Sequence, residues 1–147
     1  MSVEKNKELV QSFFQDINEN IEGLSDVDSF RKLAAKYMAP EYILHTGMGD
    51  LTFEQDLRFH NAVFVAFPDL NISIEDIFGS DDRVFARLKT VGTHKGVFHG
   101  VEATGNQINL MEAFVIRISD GKFVETWNFN DTLAMYHQLG LTPPNPG

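Results

Sequence analysis

Two carboxylates, Glu125 and Asp131, alternate with the rings of Phe123, Trp127 and Phe129 in the run KFVETWNFND. Successive side chains of a strand point to opposite faces. An unbroken pleat therefore groups Phe123, Glu125, Trp127, Phe129 and Asp131, with Lys122, Val124, Thr126, Asn128 and Asn130 on the other side. The aromatic face is read as the inner one. Desolvation there raises a carboxyl above the ordinary values of about 3.9 for Asp and about 4.3 for Glu. Such a group can abstract a carbon-bound proton activated by two carbonyls and return it to an alkoxide, the exchange an aldol ring closure requires. Kept neutral, it donates a hydrogen bond instead. The Trp127 indole N–H can orient a carbonyl. Structural roles compete for both acids. Asp131 immediately precedes the last helix, where Asp is a favoured N-cap, and Glu125 can pair with Arg87 or Arg117 across the sheet.

Five histidines add groups that titrate near neutrality. His45 falls on the first strand and His94 in a Gly-Thr-His element, where Thr93 and His94 could also simply tie down a loop. His60 lies on the apolar seam of a helix, a usual place for a satisfied core histidine. His99 and His137 read as surface or packing residues. No H-E-x-x-H spacing and no cysteine occurs, so no metal site is expected. The glycine-rich crossing from Gly92 to Gly105 has neither the G-x-G-x-x-G nor the P-loop form, and no Ser stands in a G-x-S-x-G turn. No cofactor is expected. Trp127, Phe129, Phe114 and Phe64 are read as core residues that also line a pocket wall.

The elements that must position these groups show in the spacing. Val10, Phe13, Phe14, Ile17 and Ile21 recur at three and four residues, the period of an amphipathic helix over Val3 to Glu22. A second helix starts near Ser25, with Asp28 in its first turn, and stops at Pro40. EYILHT (41–46) reads as a strand closed by Gly47 and Gly49. Thr52-x-x-Gln55 is a capping box, followed by Phe53, Leu57, His60, Phe64 and Phe67 along one helical seam that ends at Pro68. Beyond it the period changes to two. Ile72 and Ile74, then Val84, Ala86 and Leu88, mark two strands, and a hairpin at Asp120-Gly121 joins strands 107–118 and 122–130. A helix from about Asp131 to Leu139 ends at Gly140. Helices followed by antiparallel strands make an α+β order, with the sheet folding back around the third helix. The reading is one domain over 1–142 and a short Pro-rich tail over 143–147.

Composition narrows the partners. Twelve basic residues against twenty-one acidic ones leave a net charge of −9, which repels nucleic acid and anionic lipid. Thirteen Phe beside a single Trp and three Tyr favour apolar walls over polar ones, so a hydrophobic small molecule is the expected ligand. The N-terminus is charged from its fourth residue and no apolar run nears the roughly 18 residues of a membrane span, so a cytoplasmic location is expected.

AFPDLNISIEDIF (Ala66 to Phe78), DRVFARLKTVGTHKGVFHG (Asp82 to Gly100), ATG (Ala103 to Gly105), DGKFVETWNFND (Asp120 to Asp131) and QLG (Gln138 to Gly140) follow one another in an order that resembles the SnoaL-like polyketide cyclases. These belong to the nuclear transport factor two-like (cystatin-like) superfamily. The resemblance implies a cone-shaped, curved antiparallel sheet, an alpha-beta barrel closed by N-terminal helices around an internal pocket, and a homodimer formed through the outer sheet face. It also implies an intramolecular aldol closure of a polyketide ester, without metal or cofactor, with Asp131 as acid and base. His45 matches a position that often points into the family's pocket, and with His94 it would orient the substrate's oxygens. Trp127, Phe129, Phe114, Phe64, His60 and Glu125 would contact substrate. One departure is Arg117, where some cyclases place a histidine near the end of the penultimate strand. A carrier without chemistry and a steroid-type isomerase or hydratase are the alternatives the same pocket allows.

Overall fold

The computed structural model describes residues 2–141. Ser2 caps α1 (Val3–Glu19), its hydroxyl accepting from Lys5 N at 3.1 Å, and Val10, Phe13, Phe14 and Ile17 form the buried stripe. Phe13 meets Phe123 and Tyr37 edge-on at 5.3 and 5.2 Å between ring centres, the arrangement that ring quadrupoles favour. Asn18 docks the helix on the sheet: its side chain donates to Ile72 O at 2.7 Å and accepts from Ile72 N at 2.8 Å. After a 3-10 turn comes α2 (Val27–Ala35), capped by Asp26, one residue beyond the Ser25 expected.

Pro40 does not end that helix. It lies inside β1 (Met38–Thr46), where the pairing is irregular between Met38 and Ile43, and a bulge is a place where a strand tolerates a missing N–H. A short β2 (Gly49–Thr52), unforeseen in the sequence, pairs antiparallel with β1. The capping box at Thr52 and Gln55 opens α3 (Phe53–Ala66) as expected, and Leu57, Phe64 and the following Phe67 are buried. Then follow β3 (Asn71–Ser80), β4 (Arg83–Thr93), β5 (Gln107–Ser119), β6 (Lys122–Asn130) and α4 (Thr132–Gln138). Gly140, at φ 74°, ends α4 in the left-handed conformation that favours glycine. The Pro-rich tail expected over 143–147 lies outside the described residues.

The fold is α+β, with a curved sheet of order β2-β1-β6-β5-β4-β3. Two expectations are corrected. The sheet stays open, ending in edges β2 and β3 rather than closing as a barrel. It is also mixed, because β1 enters parallel to β6 after α2 has carried the chain back. The helix-covered inner face is lined by Tyr42 and Leu44 of β1, Val84, Ala86 and Leu88 of β4, Ile108, Leu110 and Ile116 of β5, and Thr126 and Asn128 of β6.

Candidate functional site

One residue decides which side chains reach the interior. Arg117 pairs with Glu125 but Ile118 pairs with Phe123, so Val124 is an extra residue in the ladder. A bulge of this kind reverses the alternation beyond it. Phe123 points inward as expected, but Glu125, Trp127 and Phe129 turn to the outer face, and Thr126 and Asn128 take the inner one. Phe129 is accordingly 59% exposed. Asp131 is exposed and caps α4, accepting from Ala134 N at 3.0 Å. The inward orientation expected for Glu125, Trp127, Phe129 and Asp131 is therefore corrected.

His45 joins the outer group. Its Nε2 lies 2.7 Å from Glu125 Oε2 and its Nδ1 2.7 Å from Asp50 Oδ1, while Arg117 Nε donates to Glu125 Oε1 at 2.9 Å. Trp127 is stacked under the His45 ring at 5.2 Å, with the Arg83 guanidinium 5.0 Å from its own ring. The ion pair with Arg117 is the structural role foreseen for Glu125.

The inner face carries a different polar set. Tyr42 on β1 is buried beside Thr126, and burial, reinforced by the nearby Asp56 charge, pushes its phenol up. Asp56 on α3, also buried, is hydrogen-bonded to Nδ1 of His60 one turn later, and Nδ1 also lies 3.2 Å from Asp56 O. His60 sits between Phe59 and Phe30, with ring centres at 5.1 and 6.5 Å. Burial alone would depress its pKa, but Asp56 more than offsets that and holds it above the ordinary value. Glu112 reaches the same region from β5, between Leu110 and Phe114. Burial pushes its carboxyl up, and the facing His60 pulls it partly back. Asn128 is diagonal to Glu112, since its partner in the ladder is Phe114, and its side-chain oxygen is buried without a hydrogen-bond partner.

Of the inward residues expected, Phe114, Phe64 and His60 are on this side of the sheet, with Phe64 in the core at 2% exposure. His94 is fully buried and ties the loop that follows β4: its Nδ1 accepts from Thr104 N at 3.2 Å, which leaves the proton on Nε2, where it has no partner. Thr93 is bound to Asp69 through both N and Oγ1 at 2.7 Å. Tyr42, Asp56, Glu112 and Asn128 were missed. For Glu112 a signal existed, because it shares its parity with Ile108, Leu110, Ile116 and Ile118. Two open grooves, of about 390 and 570 Å³, lie at the hairpin ends beside α1 and at the α1–α2 junction, so neither is the hydrophobic pocket expected from the sequence and neither includes this polar set.

The arrangement places an imidazole oriented by a carboxylate, a second carboxyl on the opposite layer and an unsatisfied amide on one apolar surface. Such a set can move protons at a carbon flanked by carbonyls. No helix among the described residues is long and apolar enough to cross a membrane.

The family model for SnoaL-like polyketide cyclase matches residues 8–139. Aklanonic acid methyl ester cyclase DauD of Streptomyces sp. (strain C5) is 32% identical over 116 residues, covering 72% of each chain. Aklanonic acid methyl ester cyclase DnrD of Streptomyces peucetius is 38% identical over a shorter 63 residues, 43% of each chain. Among solved structures, AclR from Streptomyces galilaeus, a proposed hydroxylase, superposes with a TM-score of 0.83 at 23% identity, covering 97% of this chain and 100% of its own.

Proposed function

The chain belongs to the SnoaL-like polyketide cyclase family, and from that membership we propose that it closes a ring in a hydrophobic, carbonyl-bearing molecule by acid–base chemistry that needs no cofactor. The substrate class is a polycyclic keto ester such as the aklanonic acid methyl ester named for its curated relatives. The supporting observation is Asn128. An unsatisfied buried amide oxygen costs about 1–3 kcal/mol, and a substrate hydroxyl or enol placed on the inner face would satisfy it.

The test is incubation of the protein with aklanonic acid methyl ester, followed by chromatography and mass spectrometry. The expected product is an isomer of unchanged mass and altered retention. Substrate recovered intact overturns the cyclase reading, and tight binding without conversion establishes the carrier alternative in its place.

We also infer a homodimer formed through the outer sheet face. Phe78, Met111 and Phe129 are 60%, 63% and 59% exposed there, and Phe78 is stacked on Phe85 at 4.8 Å. A monomer seldom leaves several large apolar side chains open on one sheet face.

A further inference from the structure

Asp56 and His60 lie one turn apart on α3, with His60 against Phe30 and Phe59, and Glu112 stands on the inner face of β5 between Leu110 and Phe114. The Asp56 side chain is 4% exposed and that of His60 27%, so the imidazole lies at the rim of this apolar setting with its carboxylate beneath it. Burying ionisable groups is costly, and an i, i+4 amide pair would satisfy the helix as well. His60 Nδ1–H donates to the Asp56 carboxylate, which fixes the tautomer and orientation of the ring and leaves Nε2 with no hydrogen-bond partner among the described residues. A nitrogen presented in this way has the form of a base oriented by a third group. Glu112 shares the inner face of the sheet with Asn128 and Phe114, and its charge and that of His60 favour each other.

Building on the cyclase reading, we infer that His60 Nε2 takes the carbon-bound proton of the substrate and that Glu112 supplies the proton received by the new alkoxide. The electron pair freed from the C–H bond forms the new C–C bond, and the π pair of the attacked carbonyl moves to its oxygen, which is protonated by Glu112. The His60 imidazolium then returns its proton to the Glu112 carboxylate. The net change is an isomerisation, and no oxidant or reductant is consumed. Asp56 is a positioning residue. The groups facing His60 are Asp56 on its own helix, Glu112 from β5 and, through Asp56, Tyr42 from β1.

The experiment follows cyclisation of the keto ester and, separately, exchange of the C2 proton of ethyl 2-methylacetoacetate for deuterium by NMR, in wild type, His60→Asn, Glu112→Gln and Asp56→Asn. His60→Asn is expected to lose about 100-fold or more in both rates, and Glu112→Gln about as much in cyclisation, with KM changed less than about threefold. Asp56→Asn removes the charge that raises His60, so the rising limb of its pH profile moves to lower pH. Retention of cyclisation within about threefold in either His60→Asn or Glu112→Gln overturns the assignment. So does an unmoved limb in Asp56→Asn, which decides the matter if His60→Asn does not fold. Wild-type protein that leaves the keto ester intact but exchanges the probe through His60 refutes the substrate reading and keeps this assignment. Wild-type protein inert toward both refutes both.

Discussion

Glu125 and His45 meet across the parallel pairing of β6 with β1, Oε2 to Nε2 at 2.7 Å, although they are eighty residues apart in sequence. With Asp50 on the other ring nitrogen, the imidazole faces two acceptors, an arrangement that only its protonated form satisfies fully. The hydrogen bond to Glu125, then that to Asp50, holds His45 above its ordinary 6.5. Hydrogen bonds to His45 and then Arg117 hold Glu125 below 4.5. The raised histidine contributes stability that is fully present below 6.5 and lost as pH rises through its folded value. The depressed carboxylate contributes stability that is present above 4.5 and lost as pH falls through its folded value. Both act together between those limits. His45→Gln is therefore expected to lower Tm by about 1–3 °C at pH 5.5 and by less at pH 8.5, given that such partly exposed pairs contribute about 0.2–1 kcal/mol. Thermal unfolding followed by circular dichroism at the two pH values measures the difference, and an equal loss at both refutes the linkage.

Glu112 has the opposite linkage. Its folded carboxyl is raised, so between 4.5 and that raised value the native state holds a proton the unfolded chain has released, and stability falls as pH rises. Glu112→Gln keeps the volume and removes the titration. Its Tm is expected to exceed that of wild type by about 2–4 °C at pH 8 and to converge with it near pH 4. A variant less stable than wild type at pH 8 would show that the charge pairing with His60 outweighs the cost of burial.

Gly96 carries the tightest packing demand in the glycine-rich crossing, where Gly100 and Gly105 have open space around an added Cβ. A Cβ on Gly96 would lie 2.5 Å from Val65 O, on the loop whose Lys95 and Gly96 amides both donate to Ala66 O, at 2.9 and 3.1 Å. Gly96→Ala must push the loop off the end of α3, at a cost of about 1–3 kcal/mol, which lowers Tm by several degrees. Gly47 has open space around the same atom, so Gly47→Ala is expected to stay within about 0.5 kcal/mol of wild type. Urea titration of the two variants side by side checks the contrast.

The period of the sequence located α1, α3 and β3 to β6 because each buries one continuous face, and burial is what writes a period into a sequence. It failed where geometry depends on pairing. The extra residue Val124 reverses every side chain after it, yet a bulge is set by the register of β6 against β5 and leaves no composition of its own. Reading the aromatic residues as inner therefore exchanged Trp127 for Asn128. Asp56 escaped notice for a related reason: an acid one turn before His60 looks like a solvent-facing helix residue until β1 places Tyr42 over it. The N-cap role of Asp131 was legible from its place before α4.

The same reversal carries a consequence for assembly. By turning Trp127 and Phe129 outward, the bulge adds two large apolar side chains to an outer face that already shows Phe78, Phe85 and Met111 between Arg83, Arg87 and Lys89. Closing that face against a second copy would bury the rings on both copies at about 25 cal/mol per Å², and a two-fold axis lets one patch serve both partners. Phe129 stands near the end of β6 and Phe78 near the end of β3, on opposite sides of the sheet order, so replacing either tests a different part of the surface. Phe78→Glu and Phe129→Glu are each expected to shift sedimentation at micromolar concentration from dimer to monomer while leaving the circular dichroism spectrum unchanged, because neither side chain contributes to the buried core. A wild-type chain that sediments as a monomer throughout that range refutes the homodimer, and variants that remain dimeric move the interface off this face.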